Sequence, residues 1–349
     1  MIMQPIKTAL CSFGMSGRLF HAPFIETLPH FELYAVWERS KKLAAEKYPS
    51  IISYDSYEEL LADDAIELVI VNTPNVTHFE YAKKALLAGK HVIVEKPFTV
   101  HSDQAKELQT LSEEQNKKLV VYHNRRFDSD FKTVKKVIDE GYLGKIVEAE
   151  IHFDRYKQEL SPKTHKETPG DGTGALYDLG SHLIDQALTL FGLPDAVFGD
   201  IRIIREVSKV DDYFEVLLYY PELRVRLKSS YLVREPLAAY SLHGTLGSFV
   251  KSRGDVQEAN LDKKILPNTD AWGIEPETEK GLLHTEKSGT VVRDYIDTLQ
   301  GNYNDYFKQV YEAIRFDKPV PVSAEDGLNV IRVIEAAFES NDEKKVVKF

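Results

Sequence analysis

The sequence predicts an α/β protein of two domains: an N-terminal doubly wound parallel sheet, then a second α/β domain with a mainly antiparallel sheet. Strand and helix alternate through the first 122 residues, and the strands are apolar runs, as expected for a parallel sheet covered on both faces. After Asn124 the strands follow one another without intervening helices, so neighbours should pair antiparallel. The boundary is placed between residues 1–123 and 124–349.

The first strand, Ile6 to Cys11, breaks at Ser12-Phe13-Gly14-Met15-Ser16-Gly17 before a stretch that can begin a helix. Phe31 to Trp37 is the second strand, ending at Glu38, and Ser40 to Tyr48 has helix-forming composition with Ser40 as cap. A short helix over 57–61 precedes a buried strand over 66–71, and Val76 to Ala88 is a helix closed by Gly89. The β-branched strand around 92–94 delivers Lys96 into Pro97, which fixes the turn at its tip. Ser102 to Lys117 is helical and Leu119 to Tyr122 is one more strand. Beyond it come a helix near 130–140 and strands near 146–153, 196–204, 213–220, 223–232, 239–244 and 247–251. Residues 252–290 are polar, turn-rich and without clear periodicity. Two amphipathic helices follow, near 304–316 and 324–339, the second behind a Ser323-x-x-Asp326 cap. The tail around Lys344 and Lys345 is read as solvated or as a short edge strand.

The 349 residues, 43% hydrophobic, are ample for a large core. A formal charge of −11 argues against nucleic-acid or anionic-membrane partners, which need a basic surface. Cys11 is the only cysteine, so no internal disulfide can form and a reducing, cytoplasmic compartment is expected. No run approaches the length of a membrane span. The consecutive alternating strands leave a sheet face needing cover, so a homodimer or higher assembly is expected.

Ser12-x-Gly14-x-x-Gly17 departs from the dinucleotide pattern at its first glycine, yet Gly14 and Gly17 can supply close backbone approach to a pyrophosphate and a helix N-terminus aimed at it. Glu38 ends the second strand, where a carboxylate can bind both adenosine ribose hydroxyls and repel a 2′-phosphate; Arg39 and Ser40 are the pair that would hold that phosphate. NAD and NADP both remain open, with Glu38 tipping the balance slightly to NAD. Thr73, Pro74, Asn75 and His78 lie past the carboxyl end of a core strand, where such sheets gather ligands, although His78 also suits an ordinary helix start. Lys96 can stabilise a developing alkoxide or lower the pKa of a nearby base. Asp178 and His182, at i and i+4 with Asp185 beyond, share a polar helical stripe opposite Leu176, Leu179, Leu183, Ala187 and Leu190. A neutral imidazole can take an alcohol proton and an adjacent carboxylate can orient it. The same spacing would suit two metal ligands, but no third is evident, and a solvated helix face would also look this way.

Ser12-Phe13-Gly14-Met15-Ser16-Gly17-Arg18-x-Phe20-His21, Glu95-Lys96-Pro97, His123-Asn124-Arg125-Arg126-Phe127-Asp128 and Asp178-x-x-x-His182 occur in the order found in the Gfo/Idh/MocA oxidoreductases. The resemblance covers nearly the whole chain and is greatest to the NADP-dependent scyllo-inositol dehydrogenase branch. It implies a Rossmann domain, then an α/β domain with a large open antiparallel sheet whose exposed face commonly forms a dimer interface. It also implies a catalytic trio of Lys96, Asp178 and His182 acting on a secondary alcohol of a cyclic polyol or sugar. The coenzyme set comprises Ser12 to Gly17, Glu38, Arg39, Ser40, Thr73, Pro74, Asn75, His78, Glu95, Lys96 and Asn124; Lys96, Asn124, Tyr156, Asp178, His182 and Asp185 form the substrate set. A reductase of a non-sugar substrate, or a nucleotide-binding sensor without chemistry, are the rival readings.

Overall fold

The computed structural model describes residues 4–39 and 42–349, apart from the His165 side chain. Ser40, expected at the coenzyme ribose, lies outside the described residues. The chain divides into two compact units. The first comprises residues up to Asn124 together with Gln257–Trp272 and Asn302–Leu328, and the second comprises Arg125–Val256, Gly273–Gly301 and Asn329–Phe349.

The first unit is built on β1 (Ile6–Leu10), β2 (Phe31–Trp37), β3 (Ile52–Tyr54), β4 (Leu68–Val71), β5 (His91–Glu95) and β6 (Leu119–Tyr122), in the order β3-β2-β1-β4-β5-β6. All neighbours are parallel. Every residue of β4 and β6 is buried, which explains their unbroken apolar sequences. The strand order reverses between β1 and β4, so their carboxyl ends frame the crevice where sheets of this kind bind ligands. The late helix Asn304–Phe316 joins this unit through Phe307, whose ring stacks on Phe24 at 5.4 Å.

The second unit carries β7 (Ile146–His152), β8 (Ala196–Arg202), β9 (Tyr213–Tyr219), β10 (Arg224–Ser230), β11 (Tyr240–Gly244), β12 (Gly247–Lys251), β13 (Gly281–Lys287), β14 (Thr290–Ile296) and β15 (Val347–Lys348). Their order is β14-β13-β12-β11-β7-β10-β9-β8-β15. The sheet is antiparallel except where β7 and β10 run parallel. Alternate residues such as Phe214, Val216 and Leu218 enter a core shared with Val134, Leu183, Ile184 and Ile334 from the helices. The opposite face shows Arg226 paired with Glu150 and Glu215, and exposed Val250, Val291 and Tyr295.

The stretch read as featureless, 252–290, contains the helix Gln257–Asp262, β13 and the start of the β13–β14 hairpin. Ser288 and Gly289 both take positive φ in its two-residue turn. β14 escaped notice because it is exposed almost throughout and so carries no buried period. The Ser323–Asp326 cap forms reciprocally, as its spacing predicts: Ser323 N–H donates to Asp326 Oδ2, and Asp326 N–H donates to Ser323 Oγ at 3.0 Å.

Candidate active site

Ser12 fills the first-glycine place with its side chain, its Oγ accepting the Gly14 N–H at 3.1 Å to close the turn. Asn72, at the end of β4, donates to the Ser12 carbonyl at 2.8 Å. A Cβ on Gly17 would lie 2.4 Å from that carbonyl oxygen and 2.9 Å from Asn72 Nδ2, so only glycine fits. Gly14 and Met15 are exposed at the N-terminal end of the following helix, and this open backbone fits a coenzyme pyrophosphate. Phe13 instead faces inward, edge-on to Tyr48.

The helix runs as a π-turn over Gly17–His21 and continues as Ala22–Thr27. It is bolted to the end of β5: His21 Nε2 lies 2.8 Å from Glu95 Oε1, the Ser16 hydroxyl donates to the same oxygen, and Glu95 Oε2 accepts the Lys96 N–H. Burial alone would raise the Glu95 carboxyl, but His21, Ser16 and the Lys96 charge outweigh it and hold it at about 2. Glu95 and Ser16, expected as coenzyme contacts, thus lock the glycine turn to the strand that presents Lys96. His21 is the residue sequence reasoning passed over; its place in the Arg18-x-Phe20-His21 run was the available signal.

Two further residues expected at the coenzyme have protein partners. Glu38 turns its carboxylate onto the next helix, accepting the Leu43 and Ala44 N–H groups at 3.1 and 3.0 Å, and is only 7% exposed. Each of its oxygens accepts one of these bonds, while Arg39 stays exposed. His78 is fully buried, its ring nitrogens 2.8 Å from the Pro97 carbonyl and 2.9 Å from that of Thr73. Burial pushes this imidazole down while the two carbonyls pull the other way, and the ring staples the β4 and β5 loops. Thr73 and Pro74 receive the hydroxyl and amide of Thr77, and Asn75 opens the short turn Asn75–Thr77. Asn124 is buried where the β6 loop begins its own helical turn.

In the second unit Asp178 lies in a π-turn, Leu176–Gly180, and His182 in the helix Ser181–Phe191 that continues it. The turn starts where Gly174, at φ +94°, passes so close to Asp211 that a Cβ would meet its carboxylate at 1.8 Å. Asp211 Oδ2 accepts the Leu176 N–H, and burial raises this carboxyl to about 6. His182 is 6% exposed, so the stripe is not a solvated face. Asp185, expected as a substrate contact, has a protein partner. It is 2% exposed and grips Arg126 through three N···O contacts of 2.7–3.1 Å, a bidentate pair that ties the helix to the turn Asn124–Phe127. Tyr156 is exposed and held by Arg234, whose Nη2 donates to its hydroxyl at 2.6 Å.

Residues 6–123 match the oxidoreductase family NAD-binding Rossmann fold of Gfo/Idh/MocA, and residues 135–349 match its C-terminal alpha/beta domain. The chain is 39% identical to an uncharacterized oxidoreductase of Schizosaccharomyces pombe, over 99% of this chain and 100% of that one. It is 37% identical to the scyllo-inositol 2-dehydrogenase (NADP(+)) IolW of Bacillus subtilis, over 99% and 96%. A crystal structure of an oxidoreductase from Bacteroides fragilis superposes with a TM-score of 0.91 at 47% identity, covering 99% of this chain and 100% of that one.

Proposed function

Because the chain belongs to the Gfo/Idh/MocA oxidoreductases, we propose that it oxidises, reversibly, a secondary alcohol of an inositol-like cyclic polyol or sugar, with NAD or NADP as coenzyme. The observation that carries the reading is His182 held four residues beyond Asp178 on an almost fully buried helix, where neither residue is needed to fill a core. His182 takes the hydroxyl proton and Asp178 orients the imidazole and a substrate hydroxyl. Lys96 stabilises the negative charge that gathers on the alcohol oxygen. The Ser12–Gly17 turn would hold the coenzyme pyrophosphate, Arg39 would meet a 2′-phosphate where there is one, and the nicotinamide would supply the hydride acceptor. Use of NADP is supported by the coenzyme in the name of the Bacillus subtilis relative.

A polyol panel followed at 340 nm with each coenzyme tests this. Turnover of inositols and cyclic sugars with NAD or NADP is expected; no turnover on any polyol would sink the substrate class. A second copy covering the exposed residues of the open sheet face, such as Val291 and Tyr295, would make the enzyme at least a dimer. Light scattering that returns a monomer at micromolar concentration would contradict that packing.

A further inference from the structure

The Asp178 carboxylate has a partner that the motif does not contain. Lys166 Nζ lies 2.8 Å from Asp178 Oδ1, and both side chains remain partly open to solvent. Lys166 sits in the short helix Thr164–Glu167, within a long excursion between β7 and the Asp178 turn. Its placement is built in. Glu167 Oε1 accepts the Ser161 N–H at 2.7 Å, and Oε2 lies 3.3 Å from Arg205 Nη2. Arg205, with a side chain 2% exposed, also holds Asp212 Oδ2 at 2.7 Å and the Glu159 carbonyl at 2.8 Å. One buried guanidinium therefore clamps both ends of the strap that offers Lys166, while Gly174 and Asp211 fix the start of the turn that offers Asp178.

Resting on the dehydrogenase reading above, we propose that Lys166 is a specificity-determining residue that, with Asp178, recognises a vicinal diol in the substrate. The chemistry follows from the two groups. An ammonium brings three N–H donors and a carboxylate about four acceptor positions, and the ion pair uses one of each. Side by side they present a donor and an acceptor, and neighbouring hydroxyls answer both, since each hydroxyl donates and accepts. A lone secondary alcohol has a single oxygen to place between the two groups, so it cannot meet both in good geometry as two neighbouring hydroxyls can. The pair is only partly buried, so its charges need not be broken apart when substrate enters.

The test is equilibrium titration of the coenzyme-loaded enzyme with myo-inositol and with a monodeoxy-inositol lacking the hydroxyl beside the oxidised carbon. Wild type, Lys166→Met and Lys166→Arg are compared, with thermal unfolding as a check on folding. Wild type should bind the diol roughly tenfold more tightly than the deoxy compound, from one charge-assisted hydrogen bond. Lys166→Met should lose about that factor for the diol and little for the deoxy compound, and Lys166→Arg should restore most of it. Equal losses for both ligands, no loss for either, or a wild type that binds neither would overturn the proposal. Binding that depends on Lys166 without any turnover would instead remove the dehydrogenase reading and leave the diol site standing.

Discussion

Replacing Arg126 by methionine separates two readings of Asp185. In the structure the Asp185 carboxylate is 2% exposed and takes three contacts from one guanidinium, so Arg126→Met strips those three contacts from a buried charge. Breaking one side of such a pair costs about 3–5 kcal/mol, whereas replacing both sides with apolar groups of similar volume is often neutral. At roughly 2–4 °C per kcal/mol for chains somewhat shorter than this one, the single variant should melt about 6–20 °C lower, and Arg126→Met with Asp185→Leu should recover most of the loss. Scanning fluorimetry measures the shift, with turnover normalised to folded protein. Because His182 stands one turn before Asp185 on the same helix, the single variant should also lose kcat while coenzyme affinity holds. If Arg126→Met melts like wild type, and Asp185→Leu folds normally but fails to bind polyol, Asp185 touches substrate and the structural argument is wrong.

His182→Ala should lower kcat by roughly 10² to 10⁴ with coenzyme binding intact, measured by stopped-flow hydride transfer; wild-type turnover would remove His182 from the chemistry. Lys96→Met should likewise slow the chemical step with little change in melting, whereas a large loss of stability with unchanged activity per folded molecule would make the lysine structural. The Glu95 carboxyl is held at about 2 against an ordinary 4.5, so it contributes stability that is complete above about pH 4.5 and lost as pH falls toward 2. Glu95→Gln should therefore cost up to about 3 kcal/mol in urea unfolding at pH 7 and much less near pH 2.5; an equal cost at both would refute the ion-pair account. Glu38→Ser should cost roughly 1 kcal/mol as a lost helix cap and leave the NADP/NAD ratio of kcat/KM nearly unchanged; a tenfold shift toward NADP would return Glu38 to the ribose.

The doubly wound domain was legible because each of its signals is local. Apolar strands such as β4 and β6, the break at Ser12–Gly17 and the proline after Lys96 each state their geometry within a few residues. What could not be read depended on partners far along the chain. Nothing near residues 257–272 or 302–328 says that they join the first unit, and nothing local says that β7 and β10 run parallel across an otherwise antiparallel sheet.

The site divides along the same line. Side-chain type and spacing identify which groups can do chemistry, but not which of them are already engaged. Glu38 and Asp185 carry the same carboxylate as Asp178, and position alone gave all three a ligand. Backbone amides meet the first, a partly buried guanidinium meets the second, and the third meets Lys166 on an anchored strap while staying partly open to solvent. Between Asp178 and His182 the backbone opens into a π-turn that their i, i+4 spacing did not announce, and a second π-turn follows the glycine motif and ends at His21. Such turns carry one residue more per hydrogen-bonded ring than an α-helix and recur at functional sites. In this chain each is held by a carboxylate: Glu95 grips Ser16 and His21 on one, and Asp211 grips Leu176 at the start of the other. The groups that enforce the two irregular turns are thus acids outside them, which is why a motif search finds the turns and passes over what keeps them in shape.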